Sequence, residues 1–175
     1  MKLEELAEKI RAVALLEGAF TLRSGKKSSF YIDKYLFETR PEILAELGRR
    51  LAERRSDRTT LIAGAELGGV ALAAAASMSC DLPFVIMRNA KKDYGTGKMH
   101  EGLLAAGDVV LLVEDIATTG GQVLEAAKVI EQSGAKVEKI VAVVDRGQGA
   151  AENIRAAGFF FESIMDSKSL RLPTE

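Results

Sequence analysis

From about residue 59 onward the chain repeats one construction. A short run that is apolar on both faces leads into a turn, and most turns lead into a helical pattern. TLIAGAE, PFVIMR, VVLLVED and VEKIVAVVD are the runs. GGVALAAAASMS, GGQVLEAAKVIEQSG and a short alanine-rich segment near 150–157 are the helical pieces. A strand without polar alternation must be covered on both faces, which an antiparallel sheet open to water does not provide. Strands alternating with helices then imply an α/β fold: an open, mostly parallel sheet with helices on both faces. Phe159–Phe161 is expected as the last strand.

The first 58 residues read differently. Leu3, Leu6, Ile10, Val13 and Leu16 recur at helical spacing, which predicts a helix over 2–17 closed by Gly18. Ala19–Leu22 and Ser29–Ile32 are strand-like, with a turn at SGKKS between them. Pro41 opens a second helix running to Arg55, with a solvated arginine-rich face. With 175 residues and no linker or internal repeat, 1–175 is read as a single domain. Residues 1–40 form a small N-terminal helix and strand hood over one edge. Residues 89–107 are polar and glycine-punctuated, without periodicity.

Composition removes several classes of function. Twenty-four basic against 25 acidic residues gives a net charge of -1, with no basic excess for a nucleic-acid partner. No stretch is apolar for long enough to span a membrane, and MKLEELAEKI lacks the character of a signal peptide. One cysteine, Cys80, and one histidine, His100, exclude a Cys/His zinc site and fit a reducing, cytoplasmic setting. Cys80 reads as a packed residue near a helix end.

The chemistry is expected beyond the carboxyl ends of the strands. The most specific such end is VVLLVEDIATTGGQ. A helix beginning after TTGG offers unpaired N–H groups and a favourable dipole for an anion. Thr118 and Thr119 add hydroxyls, while Gly120 and Gly121 let backbone approach a ligand. Neither GxxxxGK[ST] nor GxGxxG is present, so the cup suits a phosphate monoester rather than a P-loop nucleotide. Glu114 and Asp115 in front of it would repel a phosphate unless they face sugar hydroxyls or a magnesium ion. Acids on ring hydroxyls with a helix start on the phosphate describe a ribose 5-phosphate.

This stretch resembles the phosphoribosyl pyrophosphate (PRPP) signature of the type I phosphoribosyltransferases. FTLRSGKKSSFYID (20–33), AGAELGGVALA (63–73), KKDYGTGK (91–98) followed by HEG, and VVDRGQGA (143–150) resemble segments of the orotate phosphoribosyltransferases. The likeness runs over roughly residues 18–158. It implies Mg²⁺-dependent transfer of a phosphoribosyl group from PRPP to orotate, giving orotidine 5′-monophosphate in pyrimidine synthesis. By the resemblance, Glu114 and Asp115 hold ribose hydroxyls, and Ala117, Thr118, Thr119, Gly120 and Gly121 hold the 5-phosphate. Ala65, Glu66 and Gly68 meet pyrophosphate. Arg88, Lys91 and Lys92 also meet PRPP, with Lys92, Arg88 and Asp115 as the catalytic set. Arg23, Lys27, Tyr31, Ile32, Thr118 and Arg146 meet orotate, with Tyr31 and Ile32 flanking the ring. Magnesium is held mainly by the ligand, near Glu114 and Asp115. A homodimer with shared sites is implied as well.

Two positions depart from the pattern. Asn89 stands where a second basic residue usually follows the arginine, and Tyr94 stands where many members have histidine. His100 reads as a loop residue. If Asn89 merely weakens the site, restoring lysine there raises turnover. A phosphoribosyltransferase for another base, and a PRPP-binding regulator without catalysis, stay open as alternatives.

Overall fold

The structure, a computed structural model, describes residues 1–21, 25, 27–89 and 99–173. Helix α1 (Leu3–Ala14) leads directly into β1 (Leu15–Thr21), which pairs antiparallel with β2 (Lys27–Ile32). Two short steps follow, α2 (Lys34–Glu38) and α3 (Pro41–Ala52). The remainder is β3 (Leu61–Ala65), α4 (Gly68–Cys80), β4 (Phe84–Met87), β5 (His100–Glu101), β6 (Val109–Ala117), α5 (Gly121–Gln132), β7 (Lys136–Asp145), α6 (Ala150–Ala156) and β8 (Phe161–Asp166).

The main sheet has six strands in the order β5-β4-β3-β6-β7-β8. All pairings are parallel except that of β4 with β5. Alternate strand residues feed two separate cores. Ile62, Leu111, Val113, Val141 and Ile164 pack with Leu6 and Ile10 of α1, Ile43 and Leu47 of α3 and Leu72 of α4. Ala63, Leu112, Ile140 and Ala142 pack with Val123, Ala127 and Ile130 of α5 and with Ile154 of α6. The sheet is thus covered on both faces, as its unbroken apolar strands require.

The chain leaves β3 toward β4 on one side and later returns to place β6 on the other. Strand order therefore reverses between β3 and β6. The crevice beyond their carboxyl ends is where ligands of open α/β sheets bind.

Several boundaries correct the sequence expectations. The first helix stops at Ala14, because Leu15 is already extended and Leu15–Thr21 is consumed by pairing with β2. Gly18 falls at an irregularity of that ladder, between Glu17 and Phe20, instead of ending a helix. Helix α3 has its proline in the first turn, as expected, but ends at Ala52 rather than Arg55. Its arginine face is tied internally: Glu46 takes Arg49 at 2.7 Å and Arg50 at 2.9 Å. The last strand is Phe161–Asp166, placed by the buried Ile164 and Met165. His100 lies in β5, not in a loop. Among the described residues no helix is long and apolar enough to cross a membrane.

Candidate active site

Strand β6 carries Glu114 and Asp115 to the switch point and continues to Ala117, two residues further than the sequence pattern indicates. Thr118 and Thr119 then turn the chain, and Gly120 caps α5 in the left-handed conformation with φ of +79°. A side chain at Gly120 would also meet Ile154 Cγ1 at 3.0 Å, so backbone conformation and packing both demand glycine. A cavity of about 280 Å³ lies over this turn, lined by Lys34 and by residues 114–123. The acids, the threonines, both glycines and the first N–H groups of α5 thus surround one space.

Asp115 is only 3% exposed. Its Oδ1 accepts the Ile116 N–H at 2.5 Å, and its Oδ2 accepts from Lys34 Nζ at 2.5 Å. Lys34 comes from the first residue of α2, whose N-terminus is capped by Asp33 accepting the Tyr35 N–H. Burial alone would lower the Lys34 pKa, but Asp115 beside it outweighs that and raises it, so the ammonium stays charged. Lys34 was not among the sequence-derived site residues. It is a lone cation in a short segment of mixed character, DKYLFE, and its only signal was that it follows the strand FYI.

Two further acids crowd this pair. Burial and then the charge of Asp115 push Glu114 up to about 8. The same two causes push Glu38, at 3% exposure, up to about 8, and its Oε1 has no hydrogen-bond partner. Glu38 lies four residues after Lys34 and so faces the same way from α2. In the unliganded site, burial and the Asp115 charge thus favour the neutral form of both acids, and Lys34 pairs directly with Asp115.

The loop after β3 meets the acids from above. A Cβ at Gly68 would collide with the Asp115 carboxylate and lie 3.1 Å from Lys34 Nζ. The bare Gly68 backbone is what lets the 65–68 turn sit on the Lys34–Asp115 pair. The Glu66–Leu67 peptide bond is cis.

A second cavity, of about 440 Å³, adjoins the first across Gly121 and Gln122. Ala65, Arg88, Asn89 and Met99 line its other side. Arg88 Nη1 lies 3.6 Å from Glu101 Oε1 of β5, so the short antiparallel strand holds this guanidinium at the cavity wall. A third hollow, of about 330 Å³, is lined by Phe30, Arg146, Gln148, Ser167 and Lys168 among others. The Arg146 N–H donates to Ala117 O at 2.9 Å, and its guanidinium carbon lies 5.3 Å over the Phe30 ring. Arg146 is therefore fixed beside the end of β6, with Phe30 as an aromatic floor that sequence reading missed.

The remaining expected residues separate. Lys27 donates to Thr21 Oγ1 at 2.6 Å within the β1–β2 hairpin, and Tyr31 is 42% exposed with its ring 5.7 Å from that of Phe20. Neither lines the three cavities. Ile32 is buried in the core with Ile10 and Phe37. Successive strand residues face opposite ways, and here Tyr31 is the exposed member and Ile32 the buried one. Arg23, Lys91 and Lys92 lie outside the described residues.

A model of the phosphoribosyl transferase domain matches residues 37–169. The chain belongs to the phosphoribosyltransferase family. An orotate phosphoribosyltransferase from Methanocella arvoryzae is 40% identical over 167 residues, covering 95% of this chain and 95% of the relative. The solved orotate phosphoribosyltransferase of Mycobacterium tuberculosis in complex with Fe(III) dicitrate is similar with a TM-score of 0.88 and 31% identity, over 97% of this chain and 99% of that one. A structure of the same enzyme in complex with PRPP gives a TM-score of 0.81 and 30% identity, over 97% and 99%. The family match begins at Phe37, after the hairpin and Lys34, whereas these longer similarities take in the hood as well.

Proposed function

We propose that the protein is an orotate phosphoribosyltransferase that binds PRPP in the crevice between β3 and β6. The observation that carries this reading is one cavity lined by an acid pair and, five residues on, by a glycine-capped helix start. Hydroxyls of a ribose donate to Glu114 and Asp115, and the 5-phosphate takes the N–H groups at the start of α5 together with Thr118 and Thr119. Pyrophosphate lies against the Ala65–Gly68 turn and faces Arg88. Arg146, over Phe30, orients the anionic base with its planar fork.

The reaction is displacement at the anomeric carbon: a ring nitrogen of orotate bonds to that carbon, the bond to pyrophosphate breaks, and the proton of the nitrogen is lost to solvent or to the departing pyrophosphate. The largest charge develops on the leaving group, so the demand falls there. Arg88 at the cavity wall, with Lys91 and Lys92 of the following segment, meets the charge that develops there. Lys34 holds the Asp115 carboxylate in place at 2.5 Å. Among the described residues no three His, Cys, Asp or Glu side chains converge as a metal cage. Magnesium is commonly bound by one or two carboxylates plus substrate phosphates, and Glu114 with Asp115 fits that donor set. When bound, the ion stabilises the charge of the departing pyrophosphate.

Steady-state assays with PRPP, magnesium and a panel of orotate, adenine, hypoxanthine, xanthine and uracil test the reading. Turnover is expected with orotate alone. Turnover of a purine instead would reassign the base, and PRPP binding without any product would make the protein a regulator. The homodimer with shared sites belongs to the same proposal. Mixing Lys92→Ala with Asp115→Ala protein is expected to restore activity through heterodimers; no recovery, with subunit exchange demonstrated, rejects shared sites.

A further inference from the structure

Asn89 sits at the end of β4 where a cation was expected, and it is fully engaged in another way. Its backbone N–H donates to Glu66 Oε1 at 2.7 Å, and its Nδ2 donates to the Glu66 carbonyl at 2.9 Å. Gln122, in the first turn of α5, donates through Nε2 to the same carbonyl at 2.8 Å and to Asn89 Oδ1 at 2.7 Å. The four bonds close a ring through three elements: the turn after β3, the end of β4 and the first turn of α5. These are the elements assigned above to pyrophosphate, to the Arg88 wall and to the 5-phosphate.

We propose that Asn89 and Gln122 are positioning residues for PRPP, an inference that rests on the function proposed above. The two amides share one acceptor, the Glu66 carbonyl, and turn it toward themselves and away from the ligand. They thereby fix the distance between the turn that receives pyrophosphate and the helix start that receives the 5-phosphate. Both ends of one ligand meet a frame set before it arrives, and preorganisation of this kind is realised as affinity. An amide suits the position because it is donor and acceptor at once. Lysine cannot accept from Gln122, and its ammonium would compete for Glu66 Oε1. Lysine at position 89 therefore breaks the ring instead of repairing the site, which reverses the expectation drawn from sequence.

The test compares wild-type protein with Asn89→Ala, Gln122→Ala, the double variant and Asn89→Lys, reading KM for PRPP, KM for orotate, kcat and PRPP binding by calorimetry. Each alanine variant is expected to raise KM and Kd for PRPP about tenfold, with KM for orotate unchanged. The double variant is expected to be no worse than about twice either single one, because the ring is lost at the first break. Asn89→Lys is expected to lower kcat/KM. Thermal melting within about 2 °C of wild type confirms that the fold is intact, since Asn89 and Gln122 are surface residues. Unchanged PRPP affinity in the alanine variants, fully additive losses, or a gain from Asn89→Lys would each overturn the proposal. Wild-type protein that binds PRPP but does not turn over orotate would sink the function reading alone, and calorimetry would still decide the role of the ring.

Discussion

Lys34→Met is expected to lose turnover by a hundredfold or more, on the order of one lost charge-stabilising contact in a dry site, and to melt well below the wild type. The pair it breaks is close, at 2.5 Å, with Asp115 buried and Lys34 about one-third exposed. Leaving one member of a fully buried pair alone costs about 3–5 kcal/mol. The partial exposure of Lys34 reduces that to about 2 kcal/mol, or a melting temperature lower by roughly 4–8 °C for a chain of this length. The deficit is also expected to grow with pH. Glu38 and Glu114 have folded pKa values of about 8 against an ordinary 4.5. Their contribution to stability is therefore full below about 4.5 and is lost as pH rises through 8. Lys34 draws both values down. Without it they rise further, so the loss of stability with pH continues beyond the wild-type range. Melting curves of both proteins at about pH 5 and pH 9 read this directly. A gap of equal size at the two pH values would mean that Lys34 acts by packing and not by charge. Turnover equal to that of wild type would remove it from the site altogether.

That lysine marks where sequence reading reached its limit. The placement of the acids, of the TTGG turn before α5 and of the β3 turn was legible because each is a local pattern with its own physical logic: an apolar strand, a change of residue type, a helix start. The Lys34–Asp115 contact joins residues 81 positions apart, and nothing in DKYLFE announces it. Asn89 is the opposite case. Its identity was visible as a departure, but its partners, Glu66 in the turn after β3 and Gln122 in α5, are remote in sequence, so the amide ring could not be read from it. In the hood, Leu16 continued the helical spacing of Leu6 and Ile10 by coincidence. Pairing with Tyr31 across the hairpin settled its conformation instead. The strand pattern of FYI also carried more than was taken from it, since period-two alternation already placed Tyr31 and Ile32 on opposite faces.

Gly64→Ala is expected to cost about 3 kcal/mol, the upper part of the range for overpacking, and to lower the melting temperature by roughly 6–12 °C. Gly64 lies in β3 at the middle of the sheet, directly beneath the start of α4. An added Cβ would fall on the Gly69 carbonyl and within 2.8 Å of Ala73 Cβ. Gly69 in turn lies so close that its own Cβ would meet Gly64 backbone and Val113 O at 3.1 Å. Most of these atoms are backbone, so no side chain can swing aside; α4 itself must lift. Lifting α4 carries Gly68 away from the Asp115 carboxylate, so KM for PRPP is expected to rise together with the loss of stability. Gly121→Ala separates those two effects. There the nearest atom to a new Cβ is Thr119 Oγ1 at 3.9 Å, and the residue opens α5. Alanine at such a position is neutral or stabilising, by about 0.4–1 kcal/mol. Its methyl group, however, projects into the shared wall of the two cavities assigned to PRPP. Weaker PRPP binding at undiminished melting temperature is therefore the result expected for Gly121→Ala. If both variants melt like wild type, β3 and α4 are less tightly joined than their glycines imply. If Gly121→Ala binds PRPP as wild type does, the ligand does not approach the start of α5.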